Sequence, residues 1–359
     1  MPYLYGQSYS KAELLERVGD ISQIGGVKRV TLADGPQSGV EGVEFRTGSG
    51  LNFTVLPSRG MDISFAEYNG VPLCWRSSTG EVAPSFYEPQ GLGWLRSFYG
   101  GLLVTCGMAN IGSPCVDQGK ELGLHGRVSN IPATNVWADS EWDGDEYIMW
   151  AQGKVRETSA FDENLLRTRK IWAKLGEPKI YLHDIVQNQG FKRNEHMYLY
   201  HINAGFPVVD VNTKFIAPTL KVIPKDAAAE VEKEKYDSFL PPTAGFEERV
   251  YYHDMQEDND GNVYTALINE TIDKGEGFGF YIKYRKSEFP RFIEWKFNSK
   301  GAYVVGMEPG NAFVEGRVNE RVRGTLQYLE PGEKREYHLE IGVMSSRMEI
   351  EEFKERVIG

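Results

Sequence analysis

The stretch KIYLHDIVQN, residues 179–188, puts Ile180, Leu182, Asp184 and Val186 on one face and turns the intervening side chains to the other. A period of two is the mark of an extended strand with unlike faces. A helix repeats its faces every ~3.6 residues and cannot produce it. Similar segments recur along the chain: GVEFRTG (42–48), LNFTVLP (51–57), EYIMWAQGKVRE (146–157), LRTRKIWAKLG (166–176), GFGFYIKYRK (277–286) and GAYVVGME (301–308). They are rich in β-branched and aromatic residues and are bounded by Gly, Pro, Asn or Asp, so strands separated by turns are predicted. The 39 glycines fit a chain with that many turns.

The one clear helical opening is SYSKAELLERVGD (8–20), with Ser10 as a cap and Glu13 three residues on. No regular strand–helix alternation follows it, which argues against a parallel α/β sheet. KDAAAEVEKEKYDSF (225–239) is too polar for a strand and predicts a solvated excursion or short helix. The expected fold class is therefore all-β: one antiparallel β-sandwich domain of extended sheets over residues 1–359, with few short helices and a helical extension over 1–20.

Bulk properties exclude several function classes. A net charge of −11 with no run of Lys and Arg gives a nucleic-acid backbone nothing to bind. No apolar stretch is long enough for a membrane span, and the first twenty residues lack a secretory h-region. Cys74, Cys106 and Cys115 show no CxxC spacing, so reduced thiols and a cytoplasmic location are expected. The six histidines are scattered and predict no metal site. No phosphate loop or dinucleotide fingerprint is present, and no cofactor is expected.

Four places combine turn residues with side chains suited to proton or sugar chemistry. In LPSRGMDIS (56–64), the Arg59-Gly60 turn can aim a guanidinium at hydroxyls, although a surface arginine fits these residues equally. In ELGLHGRVSN (121–130), Gly123 and Gly126 bracket His125, and Arg127 and Asn130 add hydrogen-bonding groups. In YHINAGFPV (200–208), His201 and Asn203 share one face of an extended segment. In VVGMEPGNAFVEGR (304–317), Glu308 leaves an apolar strand at a turn, where partial desolvation makes a carboxylate a stronger base; Glu315 is a rival in more polar surroundings. Trp295 or Tyr99 could offer a stacking surface for a sugar.

Taken in order, LPSRGMDIS, GWLRSFYGGLLVTCGMANIGSP, GLHGRVSNIPA, YHINAGFP and GMEPGNAFVEGR resemble the aldose 1-epimerase (galactose mutarotase-like) superfamily, in particular its bacterial aldose-epimerase-like branch. The resemblance runs from about residue 20 to 345 and ends in LEPGEKREYHLEIGV. It implies a β-supersandwich and interconversion of α and β anomers of an aldose. It also implies His201 as general acid on the ring oxygen and Glu308 as general base on the anomeric hydroxyl. His125, Arg59 and, more loosely, Asp254 would hold the substrate, and Arg127, Asn203 and Trp295 join them as expected contacts. On this reading Arg59, His125 and Asp254 meet in one cleft, while His201 and Glu308 face each other across a space one sugar wide. The expected partner is a small-molecule sugar, with a homodimer as a further possibility. A carbohydrate-binding surface without turnover, and a lyase or hydrolase on the same sandwich, are the alternatives.

Overall fold

The alternation at 179–188 is realised as a strand in which every second side chain is buried, Asp184 among them. The computed structural model describes residues 1–272 and 275–358. Ser10 caps helix α1 (Lys11–Leu15) through a capping box with Glu13, as the sequence predicts. A meander of five antiparallel strands follows: β1 (Gly26–Thr31), β2 (Glu41–Arg46), β3 (Leu51–Leu56), β4 (Asp62–Tyr68) and β5 (Val71–Pro72). After a long loop region comes β6 (Val104–Met108).

The rest of the chain builds two larger sheets. Its strands are β7 (Thr134–Asp143), β8 (Glu146–Thr158), β9 (Asn164–Lys174), β10 (Lys179–Asn188), β11 (Asn194–Gly205), β12 (Thr213–Ile216) and β13 (Thr219–Pro224). Helix α2 (Ala227–Glu230), capped by Asp226, occupies the polar 225–239 stretch. Then come β14 (Arg249–Met255), β15 (Asn262–Asn269), β16 (Phe278–Arg285), β17 (Arg291–Ser299), β18 (Ala302–Gly310), helix α3 (Arg317–Arg323), β19 (Gln327–Leu329), β20 (Lys334–Met344) and helix α4 (Arg347–Ile358).

One sheet of eight strands runs β7-β8-β9-β10-β20-β16-β15-β12; the other runs β13-β14-β17-β18-β11-β19, with β6 also paired to β11. The pairings within these sheets are antiparallel, which confirms the all-β sandwich.

Strand β11 is covered on both faces, and the parity of its residues sorts its side chains. Tyr198, Tyr200, Ile202 and Ala204 enter the large core shared with the eight-stranded sheet, while Met197 and Leu199 join a smaller cluster around Trp94 and Phe98. His201 has the parity of the second set.

Beneath it, Arg169 bonds Asp62 at 2.6 Å and Asp184 at 2.6 and 2.8 Å, all fully buried. Tyr198 and Tyr200 donate to the same Asp184 carboxylate. Removing one partner from such a cluster strands a buried charge at about 3–5 kcal/mol, so it fixes the relative position of the two sheets.

Candidate active site

His201 on β11 and Glu308 on β18 are brought together by sheet register. Leu199 pairs with Gly310 and Ile202 with Met307, which leaves His201 and Glu308 as cross-strand neighbours. His201 Nε2 lies 3.2 Å from Glu308 Oε1. The expected sugar-wide gap is absent, because side chains opposite each other on antiparallel strands start from Cβ atoms only ~5 Å apart. The contact is close but poorly aligned, and neither Glu308 Oε1 nor His201 Nδ1 has a hydrogen-bond partner. Gly306 makes this arrangement possible, since the Glu308 carboxyl group lies in the space that a β-carbon there would fill.

Both groups floor a cleft of about 480 Å³ lined by Trp75, Trp94, Phe98, Leu124, His125, Val250, Ile293, Trp295 and Val314, with Lys225 and Glu248 as its charged members. Burial, reinforced by the Glu248 carboxylate and opposed by the Lys225 ammonium, holds the Glu308 carboxyl well above the usual range. Burial, and then the nearby His125, holds His201 well below the ordinary imidazole value. The two shifts favour the neutral form of each group, carboxylic acid for Glu308 and imidazole for His201.

His125 comes from a loop and adopts a left-handed backbone, φ 57°, flanked by hydrogen bonds from Gly107 N–H to its carbonyl and from its own N–H to Gly112. Its ring packs 4.8 Å from Trp94 and edge-on 5.6 Å from His201. Burial, then Lys225, lowers its pKa to about 4, so it is neutral at neutral pH. A long bond from Gly112 N–H to Nδ1, 3.4 Å, leaves the proton on Nε2 and makes His125 a hydrogen-bond donor.

Proximity of His and Glu is not enough to mark a site. On the same sheet His253 and Glu294 also approach to 3.2 Å, but both are sealed in the core and His253 Nδ1 is bonded to Thr219. What distinguishes His201 and Glu308 is their place on the floor of an open cleft.

Of the expected contacts, Trp295 lines the cleft, 5.4 Å edge-on to His201, with its indole N–H on Glu248 at 3.0 Å. Others lie elsewhere. Arg59 is buried and donates to the carbonyls of Ser129, Val82 and Ser97, so it ties three loop segments together and does not reach the cleft. Tyr99 is fully buried near that guanidinium. Asp254 is exposed beside Lys286, because its neighbour His253 takes the inward parity of β14.

Asn203 is buried and donates to the Gly101 and His201 carbonyls, so it braces the strand. Glu315 bonds Tyr252 and pairs with Arg323. Arg127 opens onto a second, polar cavity of about 320 Å³, where burial raises Glu157 to about 7. Asn130 is buried and accepts from Ser97. The thiol of Cys106 is buried and pushed up by burial, which leaves it inert.

Sequence reasoning missed Trp75, Trp94, Phe98, Lys225 and Glu248. The aromatic spacing in GWLRSF was the available signal for two of them.

Among the described residues, no helix is long and apolar enough to cross a membrane. No curated protein sequence matches the chain. The fold is similar to that of a candidate aldose 1-epimerase from Klebsiella pneumoniae, with 25% identity, coverage of 92% of this chain and 86% of that one, and a TM-score of 0.87. It is similar to a galactose mutarotase-like protein from Clostridium acetobutylicum at 13% identity, with coverage of 90% and 99% and a TM-score of 0.62. The galactose 1-epimerase of Lactobacillus acidophilus NCFM shares 11% identity, with coverage of 89% and 99% and a TM-score of 0.56. The fold expectation is thereby met, and aldose 1-epimerase and galactose mutarotase-like proteins are its structural neighbours. A family model described as "Domain of unknown function (DUF4432)" matches residues 37–343, and the chain belongs to that family.

Proposed function

We propose that this cleft interconverts the anomers of an aldose by acid–base ring opening. The observation that carries the reading is the His201–Glu308 contact: two groups of complementary proton affinity, with unpartnered atoms, on the floor of an aromatic-walled cleft. A bound sugar would separate them and take up their free valences. Transfer of the carboxyl proton from Glu308 to the neighbouring His201 imidazole sets up the reacting form; the Glu308 carboxylate then accepts the proton of the anomeric hydroxyl while the His201 imidazolium donates one to the ring oxygen. The bond from C1 to the ring oxygen breaks and C1 becomes an aldehyde. Rotation about C1–C2 exposes its other face, and as the ring closes His201 takes back the proton of the attacking hydroxyl while Glu308 returns its proton to the anomeric oxygen. One dissociable proton shared by the pair is enough, because each group ends the cycle as it began.

His125 would donate from Nε2 to a sugar oxygen, and Trp94 and Trp295 would pack against the C–H faces of the ring. Hydrolysis requires two opposed carboxylates; among the cleft's lining residues Glu248 is the second carboxylate, and it is already engaged by Trp295.

Freshly dissolved aldoses, followed by polarimetry or saturation-transfer NMR, test the reading. We expect accelerated mutarotation of at least one sugar, and a kcat lowered ~10²–10⁴-fold in His201→Ala and in Glu308→Gln with the fold kept. Full activity in both variants would overturn the assignment. Binding of sugars without turnover would leave a carbohydrate-binding protein.

A further inference from the structure

The eight-stranded sheet carries a second constellation on its outer face. Strands β10 and β20 pair His183 directly with His338, and alternation places Glu336 on the same face as His338. The two imidazoles lie parallel, with centroids 4.4 Å apart and planes at 9°. His183 Nε2 is 2.9 Å from Glu336 Oε2. One ligand atom from each of the three residues falls within 4.8 Å of the others. Solvent reaches all three, with side-chain exposures of 28%, 56% and 41% for His183, Glu336 and His338.

The second, independent observation is Glu288, in the turn after β16 and only 12% exposed. Its carboxylate takes the Nδ1 proton of His338 at 2.8 Å and the backbone N–H of the same residue at 2.6 Å. That bond fixes the Nδ1–H tautomer, holds the ring, and leaves the Nε2 lone pair free. Histidines that ligate metals are supported in this way by a carboxylate on the other nitrogen. Ring stacking alone gives no reason for a half-buried carboxylate behind one of the two rings.

We propose that His183, His338 and Glu336 bind one divalent transition-metal ion of the zinc class. Each histidine supplies a ring nitrogen, Glu336 supplies a carboxylate oxygen, and Glu288 is the outer partner. Two imidazoles and one carboxylate suit Zn²⁺ or its transition-metal neighbours, whereas Mg²⁺ and Ca²⁺ require oxygen-rich sets. Zinc bonds of about 2.0–2.2 Å require the ligand atoms to close by roughly 1 Å, which side-chain rotation at exposed positions allows. Lys170, opposite His183 on the other side, has its ammonium over the rings of Trp150 and Trp172. Three protein ligands leave a coordination position for water, so the site is of the open kind. The sequence hid it because His183 and Glu336 lie on strands joined only by the topology of the sheet.

Isothermal titration of tag-free, chelator-treated protein with Zn²⁺, alongside its melting temperature, provides the test. We expect one saturable ion per chain and a rise in melting temperature with zinc. Binding should be lost in His183→Gln and in Glu336→Gln, and weakened about 10–100-fold in Glu288→Gln. His201→Ala should still bind one ion, which separates this site from the cleft. Absence of binding by the wild type would overturn the proposal. So would unchanged stoichiometry and affinity in a folded His183→Gln/His338→Gln protein.

Discussion

A β-carbon added at Gly306 would lie 2.2 Å from Glu308 Oε1, 3.1 Å from its carboxyl carbon and 3.2 Å from the Trp295 β-carbon. Ordinary contact begins near 3.4 Å, so Gly306→Ala obliges something to move. The strand backbone has no cause to yield, because the atom in the way is the free end of a flexible side chain. The carboxylate therefore retreats by roughly 1 Å, a misplacement that costs about 10²-fold when a group must meet a substrate in fixed geometry. Gly306→Ala should keep the wild-type far-ultraviolet dichroism and nearly the wild-type melting temperature. Its kcat for an accepted aldose, measured by saturation transfer between α and β H1 resonances, should fall about 10²-fold, with a smaller change in KM. A kcat within twofold of wild type, with the fold intact, would show that the reaction does not depend on where that carboxylate sits.

Arg59→Ala should destabilise the protein by about 3–9 kcal/mol, since three buried carbonyls lose their donor at ~1–3 kcal/mol each; chemical denaturation measures this, and a loss below 1 kcal/mol would contradict it. Glu157 is raised from 4.5 to about 7 in the folded chain, so its contribution to stability is fully present below pH ~4.5 and is lost as pH rises through 7. The loss amounts to about 3 kcal/mol. Glu157→Gln should therefore gain on wild type between pH 5 and pH 8 in urea denaturation, and equal pH dependence of the two proteins would exclude the idea. Trp295→Ala should raise KM roughly tenfold, with a smaller effect on kcat, if the indole packs on the sugar. The pH profile of kcat/KM should be bell-shaped, falling on the acid side when the His201–Glu308 pair takes a second proton and on the alkaline side when it loses its only one; an unchanged profile in both His201→Ala and Glu308→Gln would rule out the shared-proton pair.

The fold was legible because it is written locally. Period-two segments and their turn residues depend on neighbours in sequence, and the capping box at Ser10 and Glu13 is complete within four residues. The two residues that floor the cleft were legible for a related reason, since a histidine on an apolar strand before Pro207 and a carboxylate near the end of another apolar strand are both local patterns. Arg59 misled because a guanidinium after a strand-ending proline looks the same whether it meets solvent, substrate or carbonyls. Those carbonyls belong to residues 82, 97 and 129. Asp254 misled through parity: its strand is correctly placed, but the inward position falls to His253. Lys225 and Glu248 were invisible because they border a segment whose composition is that of a solvated loop, and only sheet order returns them to the cleft. The separation of His201 and Glu308 was misjudged for want of register, which no single strand encodes.

His201 and Glu308 stand opposite each other on one hydrogen-bonded ladder, while much of the cleft wall, Trp75, Trp94, Phe98, Leu124, His125, Lys225 and Glu248, comes from the segments between strands. The two tasks are thereby uncoupled. The spacing of the proton-carrying groups is inherited from the sheet, and insertions in the segments 73–99, 109–127 or 225–248 cannot alter it. On the proposed function, those segments can be lengthened, exchanged or redrawn to admit a different sugar without rebuilding the His201–Glu308 contact. For an engineer this gives a practical rule: graft loops to change specificity, and leave β11 and β18 untouched.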